Sequence, residues 1–240
     1  KAYPAVRFKG LQDMTEALQG SQLLPEWAFT FPYYYYSNLV AEYLLRTGGE
    51  HPFDLVEFSD YKGLGYVTLK HRRLRGCFPN THFVVRIHGV TEIWNGIDGV
   101  DIHSRERLHL YQMERYSLDH ADSWTLPGES LADQYVQALG IGYRRLNIVT
   151  PLFKQLDPPG SYWQCHQPGP TRKVLFYGKQ QRVKGLDTFV DAAIKLIESE
   201  SNLQPSWEFI IIGQDTPNQW GSKGTFGEAV RKRIPEAHAG

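Results

Sequence analysis

Short apolar runs alternating with amphipathic helical segments predict an α/β fold built on parallel sheets. Three segments carry that reading. Lys173-Val-Leu-Phe-Tyr-Gly-Lys-Gln-Gln-Arg-Val-Lys-Gly-Leu-Asp187 passes from an apolar strand, Val174 to Tyr177, through a turn rich in Gly and Lys into a helix. The apolar face of that helix is Leu186, Phe189, Val190, Ala193, Ile194 and Ile197, at helical spacing. Trp207-Glu-Phe-Ile-Ile-Ile-Gly213 is a continuous apolar run, as expected of a parallel strand buried on both faces. Thr81-His-Phe-Val-Val-Arg-Ile-His-Gly89 is another strong strand, ending in His88 and Gly89.

In chain order, residues 6–8 and 28–31 are short strand candidates. Tyr33 to Tyr36 is an aromatic run, read as an edge strand or packed turn in preference to a sugar-stacking face. Ser37 is placed to cap a helix through Leu45 that Gly48 and Gly49 end. Phe53 to Asp60 reads as a strand and Gly63 to about Arg73 as a helix. Val90 to Ile102, with Gly96, Gly99 and Trp94, reads as a long loop of the kind that often carries function. Ser104 caps a helix to about His120, with Glu106 in the first turn where negative charge is favoured. Tyr111, Met113 and Tyr116 on that helix read as packing residues. Asp122–Leu126 is a strand, Leu131–Leu139 a helix stopped by Gly140, and Leu146–Val149 a strand. Residues 151–170 are dense in Pro and Gly, including Asp157-Pro-Pro-Gly160 and Pro168-Gly-Pro170, and read as a linker. After it the strand–helix–strand pattern restarts at 173–178, 186–199 and 207–213. The division is therefore 1–150, linker 151–170, and 171–240.

The restart puts Lys179, Arg182 and Lys184 in the loop between a strand's C-terminal end and a helix N-terminus. Open α/β sheets bind ligands at that edge, and a helix N-terminus attracts anions through its free N–H groups and dipole. Three cations there point to a phosphate or diphosphate. The formal net charge is +0, which argues against an electrostatic nucleic-acid binder. No apolar run is long enough to cross a bilayer, and residues 1–30 are not expected to be a signal peptide. Cys77 and Cys165 form no CxxC pair, which favours a reducing, cytoplasmic compartment. Cys165-His166 is adjacent to nothing resembling a metal motif, and no His-x₃-His or Asp-rich loop occurs. Arg231-Lys-Arg233 reads as a solvated helix face before it reads as a contact for anionic lipid. Both chain ends read as internal, so a fragment is expected.

Two α/β halves, a proline-rich linker and a basic turn opening the second half resemble the GT-B glycosyltransferases. The closer resemblance is to the retaining, nucleotide-sugar-dependent branch with glycogen- and sucrose-synthase-like enzymes. It covers about residues 53–214. Asp54-Leu-Val-Glu-Phe-Ser-Asp60, Arg86-Ile-His-Gly89, Glu114 through Asp122, Leu126-Pro127 and Tyr177-Gly-Lys-Gln-Gln-Arg-Val-Lys-Gly185 carry it. The last is the most specific, since the family pattern there is Gly-Arg, a short variable run, then Lys-Gly. Two landmarks are missing. The glycine-rich loop would precede Lys1, and the paired glutamates would follow Gly240. Glutamates at the same eight-residue spacing inside the chain, such as Glu106 and Glu114, lack the family context and read as chance.

The resemblance implies two Rossmann-like parallel-sheet domains of GT-B type, both incomplete. It implies transfer of a hexosyl group from a nucleotide-diphosphate sugar to a glycan, lipid-linked or small-molecule acceptor, with retention. No metal or other cofactor is needed. Gly178, Lys179, Arg182 and Lys184 would bind the donor diphosphate, with Lys184 matching the family lysine and Lys179 replacing its arginine. That replacement keeps the charge and loses the bidentate fork, which Arg182 would supply unless it is merely solvated. Lys184 and His88 would be catalytic. Lys184 would stabilise the leaving diphosphate, and His88 would hydrogen-bond a donor hydroxyl. Asp60, Gly63 and Gly65 would border the acceptor side, with Glu92 and Trp94 as further candidates. Asp60 is equally placed to cap the following helix. Pro127-Gly128 departs from the usual Pro-Ser. Many relatives work at the inner membrane face, so a cytoplasmic protein with peripheral membrane contact is expected, and this chain alone is expected to be inactive. The alternatives are a nicotinamide-dependent oxidoreductase, for which neither half shows G-x-G-x-x-G, and a degenerate sugar-binding module, which the Lys179 and Gly128 departures allow.

Overall fold

The computed structural model describes residue 14 and residues 31–50, 52–100, 104–149, 171–199, 206–217 and 224–235. The expected linker 151–170 and the strand candidates at 6–8 and 28–30 lie outside the described residues. Among the described residues the chain is α/β and Rossmann-like, with one four-stranded and one two-stranded sheet, both parallel. It divides into two compact units, Lys1–Ile93 with Ile102–Pro151, and Trp94–Asp101 with Leu152–Gly240.

Among the described residues the first full element of the first unit is α1 (Pro32–Glu50). Pro32 suits the first helical position, where a missing N–H leaves no bond unmade, and the Phe31 carbonyl accepts the first helical N–H from Tyr35 at 3.1 Å. The helix therefore starts before Ser37 and takes in Tyr33–Tyr36, which are neither edge strand nor turn. It also runs on through the expected glycine stop. Ser37, fully buried, does its capping elsewhere. Its Oγ accepts the Val67 N–H at 3.0 Å and donates to the Leu64 carbonyl at 2.9 Å. That serves the start of α2 (Tyr66–Arg75), whose own N-cap is Gly65 with no side chain to offer.

The sheet order is β1 (Leu55–Ser59), β2 (His82–Arg86), β3 (Ser123–Leu126) and β4 (Arg145–Ile148), paired in parallel in chain order. Between β2 and β3 come α3 (Thr91–Asp98) and α4 (Arg105–His120), and α5 (Glu129–Leu139) joins β3 to β4. The segment read as a long loop is thus largely α3. Gly96 suggested a break, yet a Cβ there would meet nothing, and the helix tolerates it. Ser104 caps α4 as expected, accepting the Arg107 N–H at 3.1 Å. Gly140 ends α5 in the left-handed region at φ +64°.

One sheet face is apolar. Phe58 stacks on Phe83 with ring centroids 5.9 Å apart, and Leu44 and Leu69 close over them. Val85, Trp124 and Leu126 join Leu118, Tyr135 and Leu139 in a second cluster. The alternate positions are mostly polar, with Leu55 and Val84 the apolar residues among them. Arg86 donates to Glu57 at 2.8 Å, and His82 meets Ser123 at 2.9 Å.

In the second unit β5 (Thr171–Tyr177) pairs with β6 (Ser206–Ile212) across α6 (Leu186–Ser199), and α7 (Phe226–Arg231) follows. Thr225 and Glu228 make a reciprocal capping box at α7. Phe176 and Ile211 cluster with Leu186, Val190, Phe226 and Val230. The expectation that the 207–213 strand is buried on both faces fails. Ile212 is 49% exposed, and Leu175 and Tyr177 on β5 are exposed as well. Among the described residues this sheet has only two strands, and its core forms on one face.

Candidate functional site

The basic turn of the second unit leaves the carboxyl end of β5. Gly178 donates its N–H to the Ile212 carbonyl at 3.0 Å. Gly213 has φ +152°, and a Cβ on it would fall on the Gly178 carbonyl, so the two strand ends approach as only glycine allows. Gln180 is buried and tied inward, with its N–H on the Gln214 carbonyl at 2.9 Å and its Nε2 on the Gly213 carbonyl at 3.0 Å. Lys179, the preceding residue, is exposed.

Arg182, Val183 and Lys184 form one 3-10 turn, closed by Gly185 at φ +78°. Lys184 is exposed, and its ammonium lies 5.2 Å from the centre of the Trp94 ring. Such a contact contributes about 0.5–1 kcal/mol at an exposed site. Asp98, one turn beyond Trp94 on α3, accepts the Val183 N–H at 3.1 Å. Trp94 is therefore a helical residue beside Lys184. Arg182 is not a solvated fork. Its Nε is 3.3 Å from Asp187, in the first turn of α6, and Asp187 also accepts the Thr188 N–H at 3.0 Å. The helix start thus carries a carboxylate of its own, and Lys179 and Lys184 are the cations that remain outward.

In the first unit Asp60 follows β1 and is fully buried. It neither caps a helix nor reaches solvent. Its Oδ2 accepts the N–H groups of His88 at 3.0 Å and Gly89 at 2.9 Å and the Tyr135 hydroxyl at 3.0 Å. Tyr135 in turn accepts the Val90 N–H at 3.0 Å, and burial followed by the Asp60 charge raises its pKa. The His88 side chain, 59% exposed, stands on this edge, with Nδ1 3.3 Å from the Arg86 carbonyl.

A second buried carboxylate adjoins the first. Glu114 on α4 accepts the Lys62 N–H at 2.9 Å, the Thr91 N–H at 2.8 Å and the Thr91 hydroxyl at 2.7 Å. Burial pushes its carboxyl up to about 7. Lys62 sits at φ +66°, rare for a residue with a side chain, and its ammonium lies 4.7 Å from the Tyr33 ring and 4.9 Å from the Tyr61 ring.

The glycines beside it are packing residues. A Cβ on Gly63 would lie 2.6 Å from Met113 Cβ, and one on Gly65 would lie 2.7 Å from the Phe58 ring. Glu92 is held by Arg115, whose Nε donates to it at 2.6 Å while Nη1 donates to the Leu139 carbonyl at 3.1 Å. It is occupied in structure rather than offered to a ligand. Asp60 and His88 are brought together in the first unit, and Lys184 and Trp94 in the second. Glu114 was read only within the stretch that carries the resemblance and as a chance partner of Glu106, and Tyr135 and Lys62 were not singled out. The signal for Glu114 was a carboxylate on the otherwise core-facing stripe Leu110, Met113, Ser117 and Leu118.

No protein-family model matches the chain, and no curated protein matches it. Among the described residues no helix is long and apolar enough to cross a membrane, and no cluster of His, Cys, Asp and Glu could hold a metal ion.

Proposed function

We propose that this chain belongs to a GT-B type, nucleotide-sugar-dependent glycosyltransferase that moves a hexosyl group with retention to a glycan, lipid-linked or small-molecule acceptor. The observation that carries the reading is the pair of exposed lysines, Lys179 and Lys184, on the loop that leaves β5 and enters α6 of a parallel βαβ unit. Breaking the bond from an anomeric carbon to a diphosphate builds negative charge on the leaving oxygen. Two outward ammonium groups stabilise that charge more than they stabilise the ground state. In the first unit, exposed His88 at the carboxyl edge of the sheet meets a sugar hydroxyl. The Asp187 carboxylate lowers the helix's own appetite for an anion, so the lysines carry the recognition. Work at the inner face of a membrane, without a metal, belongs to the same proposal.

Ligand-observed NMR with UDP, GDP, ADP and NAD tests it on the intact chain and on Lys184→Ala. Saturation transfer to a nucleoside diphosphate should weaken in the variant by roughly ten- to a hundredfold in affinity, for a lost charge-assisted bond of ~1.5–3 kcal/mol. Equal affinity in the variant removes the diphosphate site. A signal for NAD alone turns the reading to an oxidoreductase.

A further inference from the structure

Two donors of the 3-10 turn that leads into α6 are already engaged by α3. Within the turn the Lys184 N–H is spent on the Gln181 carbonyl at 3.2 Å and the Gly185 N–H on the Arg182 carbonyl at 2.8 Å. The Val183 N–H instead leaves the turn and donates to the Asp98 carboxylate, 85 positions earlier, at 3.1 Å. On the neighbouring residue the Lys184 ammonium lies 5.2 Å from the centre of the Trp94 ring. Trp94 and Asp98 are one helical turn apart, so a single face of α3 meets both groups. The segment Trp94–Asp101 and the turn belong to the same compact unit. A backbone N–H beside an ammonium is what a phosphate oxygen takes at the start of a helix. Asp98 therefore stands where an oxyanion would stand, and the indole rests on the cation that would meet it. A carboxylate and a phosphate do not share one N–H, because like charges that close repel.

We propose that the last turn of α3 is a built-in competitor for the diphosphate site. Asp98 occupies the Val183 N–H and Trp94 holds Lys184 until a diphosphate displaces both. The inference rests on the diphosphate reading above and adds its regulation. On binding, phosphate oxygens take over the Val183 N–H and the Lys184 ammonium, and Asp98 and Trp94 turn to solvent. The affinity of the resting chain is lowered by the fraction of molecules in which the turn is free of α3. Trp94 and Asp98 act through the turn, so both are positioning residues.

The test is titration of the intact chain, labelled with ¹⁵N-valine and ¹⁵N-tryptophan, with inorganic pyrophosphate, UDP, GDP and ADP. The Val183 amide and Trp94 indole signals are assigned by their loss in Val183→Ile and Trp94→Leu. Both signals should move together as the wild type binds. Asp98→Ala should bind the same anion roughly tenfold more tightly, the lower end for a charge-assisted bond. Trp94→Leu should bind it about two- to fivefold more tightly, as an exposed cation–π contact represents. A Trp94 indole signal unmoved at saturation overturns the competitor even if a variant fails to fold. Folded variants that bind no more tightly than wild type overturn it equally, and both results leave the diphosphate site standing. No binding of any of the four anions, by wild type or variants, removes the diphosphate site itself and the competitor with it.

Discussion

Glu114 accepts the backbone N–H of Lys62, a residue 52 positions earlier, at 2.9 Å. That bond holds the turn after β1 against α4, and it coincides with the unusual φ of +66° at Lys62. The same carboxylate takes both donors of Thr91, so one side chain ties together the turn, the start of α3 and α4.

Glu114 should make the stability of the chain pH-dependent. Its folded pKa, about 7, lies above the ordinary 4.5, so the folded chain binds this proton more tightly than the unfolded chain does. Its stabilising contribution is full below the ordinary value and is lost as pH rises through the folded one. The loss across that window is roughly 3 kcal/mol. Urea denaturation of wild type and Glu114→Gln at ~pH 5 and ~pH 8 measures it, since the variant should lose this slope. A wild-type slope retained in the variant would place the titration elsewhere.

Gly63→Ala and Gly140→Ala should separate crowding from backbone strain. Both positions have positive φ, +60° and +64°, but only at Gly63 does a Cβ collide, 2.6 Å from Met113 Cβ and 2.9 Å from its carbonyl carbon. Gly140→Ala should lose about 1 kcal/mol and Gly63→Ala about 2–4 kcal/mol by chemical denaturation. Equal losses would mean that α4 yields to the methyl group.

Ser37→Ala removes an acceptor for Val67 N–H and a donor to the Leu64 carbonyl from a fully buried site. The expected loss is ~1–3 kcal/mol, with faster hydrogen exchange at the start of α2. Unaltered exchange at Val67 would show that α2 does not need the remote cap.

Arg182→Ala should leave nucleoside diphosphate affinity within about twofold, because its guanidinium is engaged with Asp187 and an exposed pair of this kind is worth ~1 kcal/mol or less. A loss as large as that expected for Lys184→Ala, in the same titration, would return Arg182 to the binding turn.

The parallel strand–helix alternation was legible in the sequence, as were the Ser104 cap, the Gly140 stop and the basic turn from Gly178 to Gly185. Each is written in neighbouring residues, through hydrophobic period, a capping side chain or a glycine that takes a positive φ. The chain could also mark His88 and Lys184 as ends of strands and starts of helices. Only the tertiary structure decided which partners those side chains meet. It sent Ser37 to the cap of another helix, turned Arg182 onto Asp187, made Val90–Ile102 largely a helix, and buried Asp60 and Glu114 among backbone donors from remote loops. The physical reason is distance along the chain. Local rules act over three or four residues, whereas a buried carboxylate takes whatever donors the packing of distant elements presents, and no period in the sequence records them.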